Sequence, residues 1–245
     1  MPANKPLIKA AKSLSDKVNE LTFAEPVTHV YNPLDYARAA HNEYLRFANP
    51  EGIRVLFLGM NPGPWGMAQT GVPFGQIEAV RDWMQIDAHI NKPDDNHFNG
   101  EHPKRPIHGL DCERSEVSGE RLWGLFRERF VTKEKFFAEH FVTNYCPLVF
   151  MEESGKNRTP DKLPAVEREP LEKLCDDHLL RVLRILDPEW AVGIGVYAEN
   201  CLKRVSEFTN ARIRRILHPS PASPAANRGW AAAATKQLVD GGIWK

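Results

Sequence analysis

Three polar side chains stand where an α/β protein exposes its reactive edge: Asn61, Asn144 and His218. Asn61 follows an almost continuous apolar run, residues 53 to 59. It opens a loop crowded with Gly and Pro, Met60-Asn-Pro-Gly-Pro-Trp-Gly66, which continues to Phe74-Gly75. Asn144 lies in a second apolar run, residues 141 to 146. His218 sits at the end of a further predicted strand, Ile213-Arg-Arg-Ile-Leu217, and begins His218-Pro-Ser-Pro-Ala-Ser-Pro224. Two carboxamides and an imidazole supply hydrogen bonds at neutral pH, but no strong nucleophile. Each alone is commonly a turn residue or a satisfied core group. Their weight comes from position, because loops after different parallel strands converge on one crevice.

Several chemistries lack their residues. The Gly-rich loop after the first run has no Lys-Ser/Thr pair to cradle a nucleotide phosphate, and neither G-x-S-x-G nor H-E-x-x-H occurs. Gly193-Ile-Gly-Val-Tyr-Ala198 has the form of a dinucleotide fingerprint. It lies late, however, and the next strand ends in His218 rather than in an acid that would hold a ribose. No nicotinamide or flavin is expected, although that helix N-terminus stays a candidate for a DNA phosphate. Asp94, Asp95, His97 and His102 match no metal spacing and read as a solvated loop. Cys112, Cys146, Cys175 and Cys201 are too dispersed for a zinc or iron–sulfur framework, so reduced, buried thiols are expected. No cofactor and no metal are expected.

The elements that must position these residues follow from pattern. The 245 residues fit one large domain, and 42% hydrophobic with 26% charged residues is ordinary globular composition. Lys+Arg and Asp+Glu are both 32, so only local clusters would announce a nucleic acid. No apolar stretch suits a membrane. Leu7, Leu14, Val18 and Leu21 predict an N-terminal amphipathic helix within 1–25, packed outside a domain over 26–245. Asp35 is read as the N-cap of a helix to about Phe47. Helices are further predicted over 76–90, 118–129, 171–186, 197–208 and 225–239, with a helix start at Thr159-Pro160. Strands are predicted over 53–59, 141–146, 190–195 and 213–217. This alternation predicts a doubly wound parallel sheet with helices on both faces. Arg212, Arg214 and Arg215, with Lys156 and Arg158, offer a basic surface near the ligand edge.

Long motifs here resemble those of the single-strand-selective monofunctional uracil-DNA glycosylases: residues 59 to 75, and His218-Pro-Ser-Pro through Asn-Arg-Gly-Trp230. Glu101-His-Pro-Lys-Arg-Pro106, Arg114-Ser-Glu-Val-Ser-Gly119, Asn144-Tyr-Cys-Pro-Leu148 and Ser154-Gly-Lys-Asn-Arg-Thr-Pro160 resemble that family too. The resemblance implies one three-layer α/β/α domain with a central four-stranded parallel sheet. It implies hydrolysis of the uracil N-glycosidic bond in single-stranded and duplex DNA, by a monomer, in the bacterial nucleoid or the eukaryotic nucleus. Asn61 would position the attacking water and His218 would assist departure of the base. Phe74 would stack on the flipped base, Asn144 would read its edge, and Met60 and Gly63 would line the pocket. Ser154, Gly155, Lys156, Asn157 and Arg158 would contact DNA, as would Pro219, Ser220, Pro221, Ala222 and Arg228.

A carboxamide cannot take a proton, which favours a dissociative reaction in which Asn61 only orients water. Trp65 stands where relatives commonly carry Phe, read as a packing change behind the loop. Ala222 and Ser223 replace a bulkier, basic wedge, which predicts weaker duplex flipping. Gly63 leaves space beside the base C5, so one alternative is a related glycosylase acting on 5-hydroxymethyluracil, xanthine or hypoxanthine. Another is a damage-binding protein without chemistry.

Overall fold

A computed structural model describes residues 4–94 and 99–245. Asp95 and His97 of the acidic loop therefore lie outside the described residues. In chain order the elements begin α1 (Lys5–Val18), β1 (His29–Tyr31), α2 (Pro33–Tyr36), α3 (Arg38–Leu45), β2 (Val55–Gly59) and α4 (Met67–Thr70). They continue α5 (Val117–Phe130), α6 (Lys133–Phe137), β3 (His140–Asn144), β4 (Val149–Met151), β5 (Asn157–Arg158) and α7 (Ala165–Leu186). The chain ends β6 (Trp190–Ile194), α8 (Val196–Arg204), β7 (Arg212–Ile216), α9 (Pro224–Asn227) and α10 (Trp230–Asp240).

The four predicted strands form a parallel sheet, in the order β3-β2-β6-β7. Every residue of β2 and β6 is buried, as expected of strands covered on both faces. The chain reaches β2 first, then β3 on one side and β6 on the other. The order thus reverses at β2, and the crevice beyond its carboxyl end is where such sheets bind ligands. β7 is an edge strand, and its exposed Arg212, Arg214 and Arg215 keep that edge from pairing with another chain.

In α1, Leu7, Leu14 and Val18 are buried as one stripe and the helix packs on α7. The Asn4 amide donates to the carbonyls of Leu45 and Ala48, tying the chain start to α3.

Several predicted elements differ. The cap before Leu34 is Asn32, whose side chain accepts from the Leu34 amide; Asp35 sits inside α2. The helix predicted over 76–90 shrinks to a π-helical turn, Ala79–Trp83. Thr159-Pro160 starts only the 3-10 turn Pro160–Lys162. The terminal helix breaks at Gly229, whose φ of 119° lies outside any right-handed helix. A second sheet, antiparallel in the order β1-β4-β5, is not legible in the sequence: strands of two or three residues carry no periodicity. Its β4–β5 hairpin is the segment read from sequence as a basic loop.

Candidate active site

The loop after β2 is fixed from several sides. Pro62 restricts Asn61 to an extended backbone. The Asn61 Nδ2 group donates to the carbonyls of Leu148 (3.2 Å) and Pro62 (3.3 Å), which leaves Oδ1 as its free acceptor. Gln69 donates to the carbonyls of Pro64 and Pro106, and its Oε1 accepts from His108 N. Thr70 Oγ1 donates to the carbonyls of Gly66 and Gly75 and accepts from the Val72 amide. The loop is ordered before any ligand arrives.

Phe74 has φ of +54°, a left-handed conformation that costs a bulky residue of order 1–3 kcal/mol. Its carbonyl is gripped by the Gln76 amide at 2.7 Å, and α5 packs so closely that a Cβ on Gly119 would overlap it. The Phe74 ring reaches the sheet edge, where a Cβ on Gly59 would collide with both that ring and Asn144 Oδ1. Glycine at 59 is thus what lets Asn144 and Phe74 share one wall. Asn144 is 8% exposed; its Nδ2 donates to Met67 Sδ at 3.4 Å, while Oδ1 is buried without a partner among the described residues. An orphaned buried acceptor is costly, and a ligand N–H would satisfy it.

His218 closes the wall, its ring centroid 6.2 Å from that of Phe74. The Ser220 amide donates to Nδ1 at 3.1 Å, so the ring proton of the neutral imidazole sits on Nε2. Burial holds its pKa below the ordinary 6.5. Gly195, with φ of +91°, gives the imidazole room: a Cβ there would lie 3.1 Å from His218 Cβ. A Cβ on Gly193 would overlap the backbone of Glu199. The fingerprint-like glycines thus pack α8 on β6 and admit His218.

Sequence reasoning missed two supports. Arg121 on α5 donates to the carbonyls of Pro219 (3.0 Å) and Ser220 (3.5 Å) and to Asn227 Oδ1 (2.9 Å), clamping the His218 loop. Glu116 inserts its carboxyl against the Asn61 loop, where a Cβ on Gly63 would overlap Oε1 and one on Gly66 would overlap Oε2. The space expected beside Gly63 is therefore occupied. Glu116 Oε2 is buried without a partner among the described residues, and burial pushes the carboxyl pKa up to about 7. The residue as a whole is only half-buried, but its acid group is enclosed. Neither residue carries a local signal, since both act through loops distant in sequence.

Met60, like Gly63, borders the loop, and its carbonyl accepts from the Cys146 amide. On the hairpin, Ser154 and Lys156 are exposed, Asn157 and Arg158 half-buried, and Gly155 is buried in the turn with φ of +78°. Lys156 and Arg158 both face Glu152 at 3.8 Å. Beyond His218, Pro219 is buried and Ser220 half-buried, so Pro221 and Ala222 form the exposed tip; Arg228 is exposed as well. The arginines of β7 do not join this edge. Arg212 starts its strand, at the end opposite the crevice, and Arg215 is paired with Glu199 at 2.9 Å.

Residues 45–238 match the Uracil DNA glycosylase superfamily. A single-strand selective monofunctional uracil-DNA glycosylase of Rattus norvegicus is 46% identical over 94% of this chain and 82% of its own. The chain belongs to that family. The corresponding protein of Bos taurus is 45% identical over 94% of this chain and 84% of its own. The fold is shared with the crystal structure of Pedobacter heparinus SMUG2, at 19% identity and a TM-score of 0.60, covering 94% of this chain and 95% of that one. Within the uracil-DNA glycosylase fold, the loops after β2 and β7 and the last residue of β3 supply the three polar residues singled out first. Among the described residues, no helix is long and apolar enough to cross a membrane.

Proposed function

We propose that the protein is a monofunctional uracil-DNA glycosylase, hydrolysing the N-glycosidic bond of uracil in DNA and so initiating base excision repair. The observation that carries this reading is the buried, unpartnered Asn144 Oδ1 beside the Phe74 ring and the His218 imidazole. A uracil flipped onto Phe74 offers its N3–H to Oδ1 and its O4 to the Asn144 amide. Cytosine presents an acceptor at N3 instead, so the pair stays unmade and the base is rejected.

The C1′–N1 bond breaks first, leaving an oxocarbenium-like sugar and a uracil anion. The Nε2–H of His218 donates to O2, where charge develops; one such donor is worth about 3 to 4 kcal/mol. Asn61, its NH2 committed to Leu148 and Pro62, accepts a water hydrogen on Oδ1 and turns the water lone pair toward C1′. Pro221 and Ala222 fill the stack that the base vacates, and the hairpin over 154–158 holds the backbone. The protein acts as a monomer on genomic DNA, in the nucleoid or the nucleus according to its host.

The test is release of uracil from single-stranded and duplex oligonucleotides without strand cleavage until alkali is added. Cleavage before alkali, or an enzyme–DNA adduct trapped by borohydride, would refute a monofunctional reaction.

A further inference from the structure

Trp65, read from sequence as a packing change, instead carries two cations. The Arg114 guanidinium lies 4.5 Å from the indole ring centroid and that of Arg105 lies 5.2 Å from it. Neither has a carboxylate partner within 4.0 Å among the described residues, although Asp111 and Glu113 line the same concavity of about 500 Å³ with Lys104 and His108. Among the described residues, Arg105 Nε is buried with no partner, and its Nη1 donates to the Lys104 carbonyl at 3.1 Å. Two like charges gathered on one ring, with guanidinium donors unspent on protein acceptors, leave room for an anion to complete the site. A cation–π contact uses the face of a guanidinium and leaves its edge of N–H groups for a phosphate.

The place fits the substrate strand. Trp65 is on the same loop as Asn61, four residues on. On the other side, a Cβ at Gly155 would lie 3.2 Å from Lys104 Cβ and 3.6 Å from Arg105 Cζ, so the hairpin over 154–158 abuts the two basic residues. One basic surface runs from Lys156 past Arg105 to Arg114, beside the crevice.

We propose that Arg105 and Arg114, held on Trp65, form a phosphate subsite for the substrate strand next to the flipped nucleotide. The proposal rests on the glycosylase reading for its ligand, but binding tests it independently of catalysis. The probe is a single-stranded oligonucleotide with a tetrahydrofuran abasic analogue, titrated at several salt concentrations.

Arg105→Gln/Arg114→Gln should bind roughly tenfold more weakly than wild type, as loss of charge-assisted hydrogen bonds implies. Its log–log salt slope should be shallower by about 0.7 for each phosphate that the protein no longer neutralises. Arg114→Gln alone, an exposed side chain, should show part of both effects, which covers the case of a poorly folded double variant. Lys12→Gln on α1 should bind as wild type does. Shortening the oligonucleotide on one side of the analogue should weaken wild type and erase its advantage over the double variant. Unchanged affinity and slope in the arginine variants would overturn the subsite, as would an advantage that survives shortening from either side. If wild type binds this probe but releases no uracil, the glycosylase reading fails and the binding comparison still stands.

Discussion

The Ser220 amide hydrogen points at His218 Nδ1 across 3.1 Å, and that bond decides which side of the imidazole faces the crevice as a donor. Protonation would put a hydrogen on Nδ1 facing the hydrogen of Ser220. Burial opposes it too, holding the pKa below 6.5. Single-turnover uracil excision should therefore hold level as pH falls through 6.5 and drop only in more acid solution. His218→Ala should lower the rate by about a hundredfold to a thousandfold and remove that acid limb. A rate already halved at pH 6.5 would contradict the neutral donor.

Asn61 spends both amide hydrogens on carbonyls, so only Oδ1 is left for water. Asn61→Ala should excise uracil at least about a hundredfold more slowly. Its affinity for the abasic-analogue oligonucleotide should change little, because the loop is also held by Gln69 and Thr70. Measuring both on the same preparation separates lost water placement from lost binding.

Gly59 has no positive φ, so an alanine there strains no dihedral and acts only through its methyl group. That methyl would push Asn144 and Phe74 apart. Gly59→Ala should raise KM for uracil DNA about tenfold or more, since one unmade buried hydrogen bond costs about 1–3 kcal/mol. A KM equal to that of the wild type would show that the two side chains need not share a wall.

Glu116 makes a prediction about stability. The folded state keeps its proton up to about pH 7, whereas the unfolded chain releases it near the ordinary value of 4.5. Between those values the folded state binds more protons, so this group's contribution to stability is lost as pH rises from 4.5 to 7. Glu116→Gln carries no such cost. Its stability relative to wild type should increase by of order 3 kcal/mol between about pH 4 and about pH 8, measured by urea unfolding. A difference independent of pH would mean that the carboxyl is not held protonated against the loop.

The two central strands are legible because buried strands of five residues leave continuous apolar runs, as in Val55–Gly59 and Trp190–Ile194. Asn61 and His218 are legible because each follows a predicted strand, and Asn144 because it lies within one. Glu116, Arg121 and the Trp65 cluster are not. Their partners lie about 50 or more residues away, or in a loop whose path no periodicity reveals. The fingerprint-like glycines mislead for the opposite reason. Close packing of a helix on a strand needs the same small residues as a phosphate turn, and only His218 lying against Gly195 tells the two apart.

The small antiparallel sheet has a consequence for anyone cutting the protein down. β4 is paired on one side by β1, at residues 29 to 31, which precede the family match over 45–238. Beyond the other limit, Trp244 is buried and donates to His140 Nε2 at the start of β3. A fragment trimmed to the recognisable segment would strip a partner from β4 and open a raw strand edge beside the hairpin. Such an edge offers unpaired backbone groups to other chains, so the shortened protein should be less soluble than the full chain. The span that announces ancestry is shorter than the span that folds.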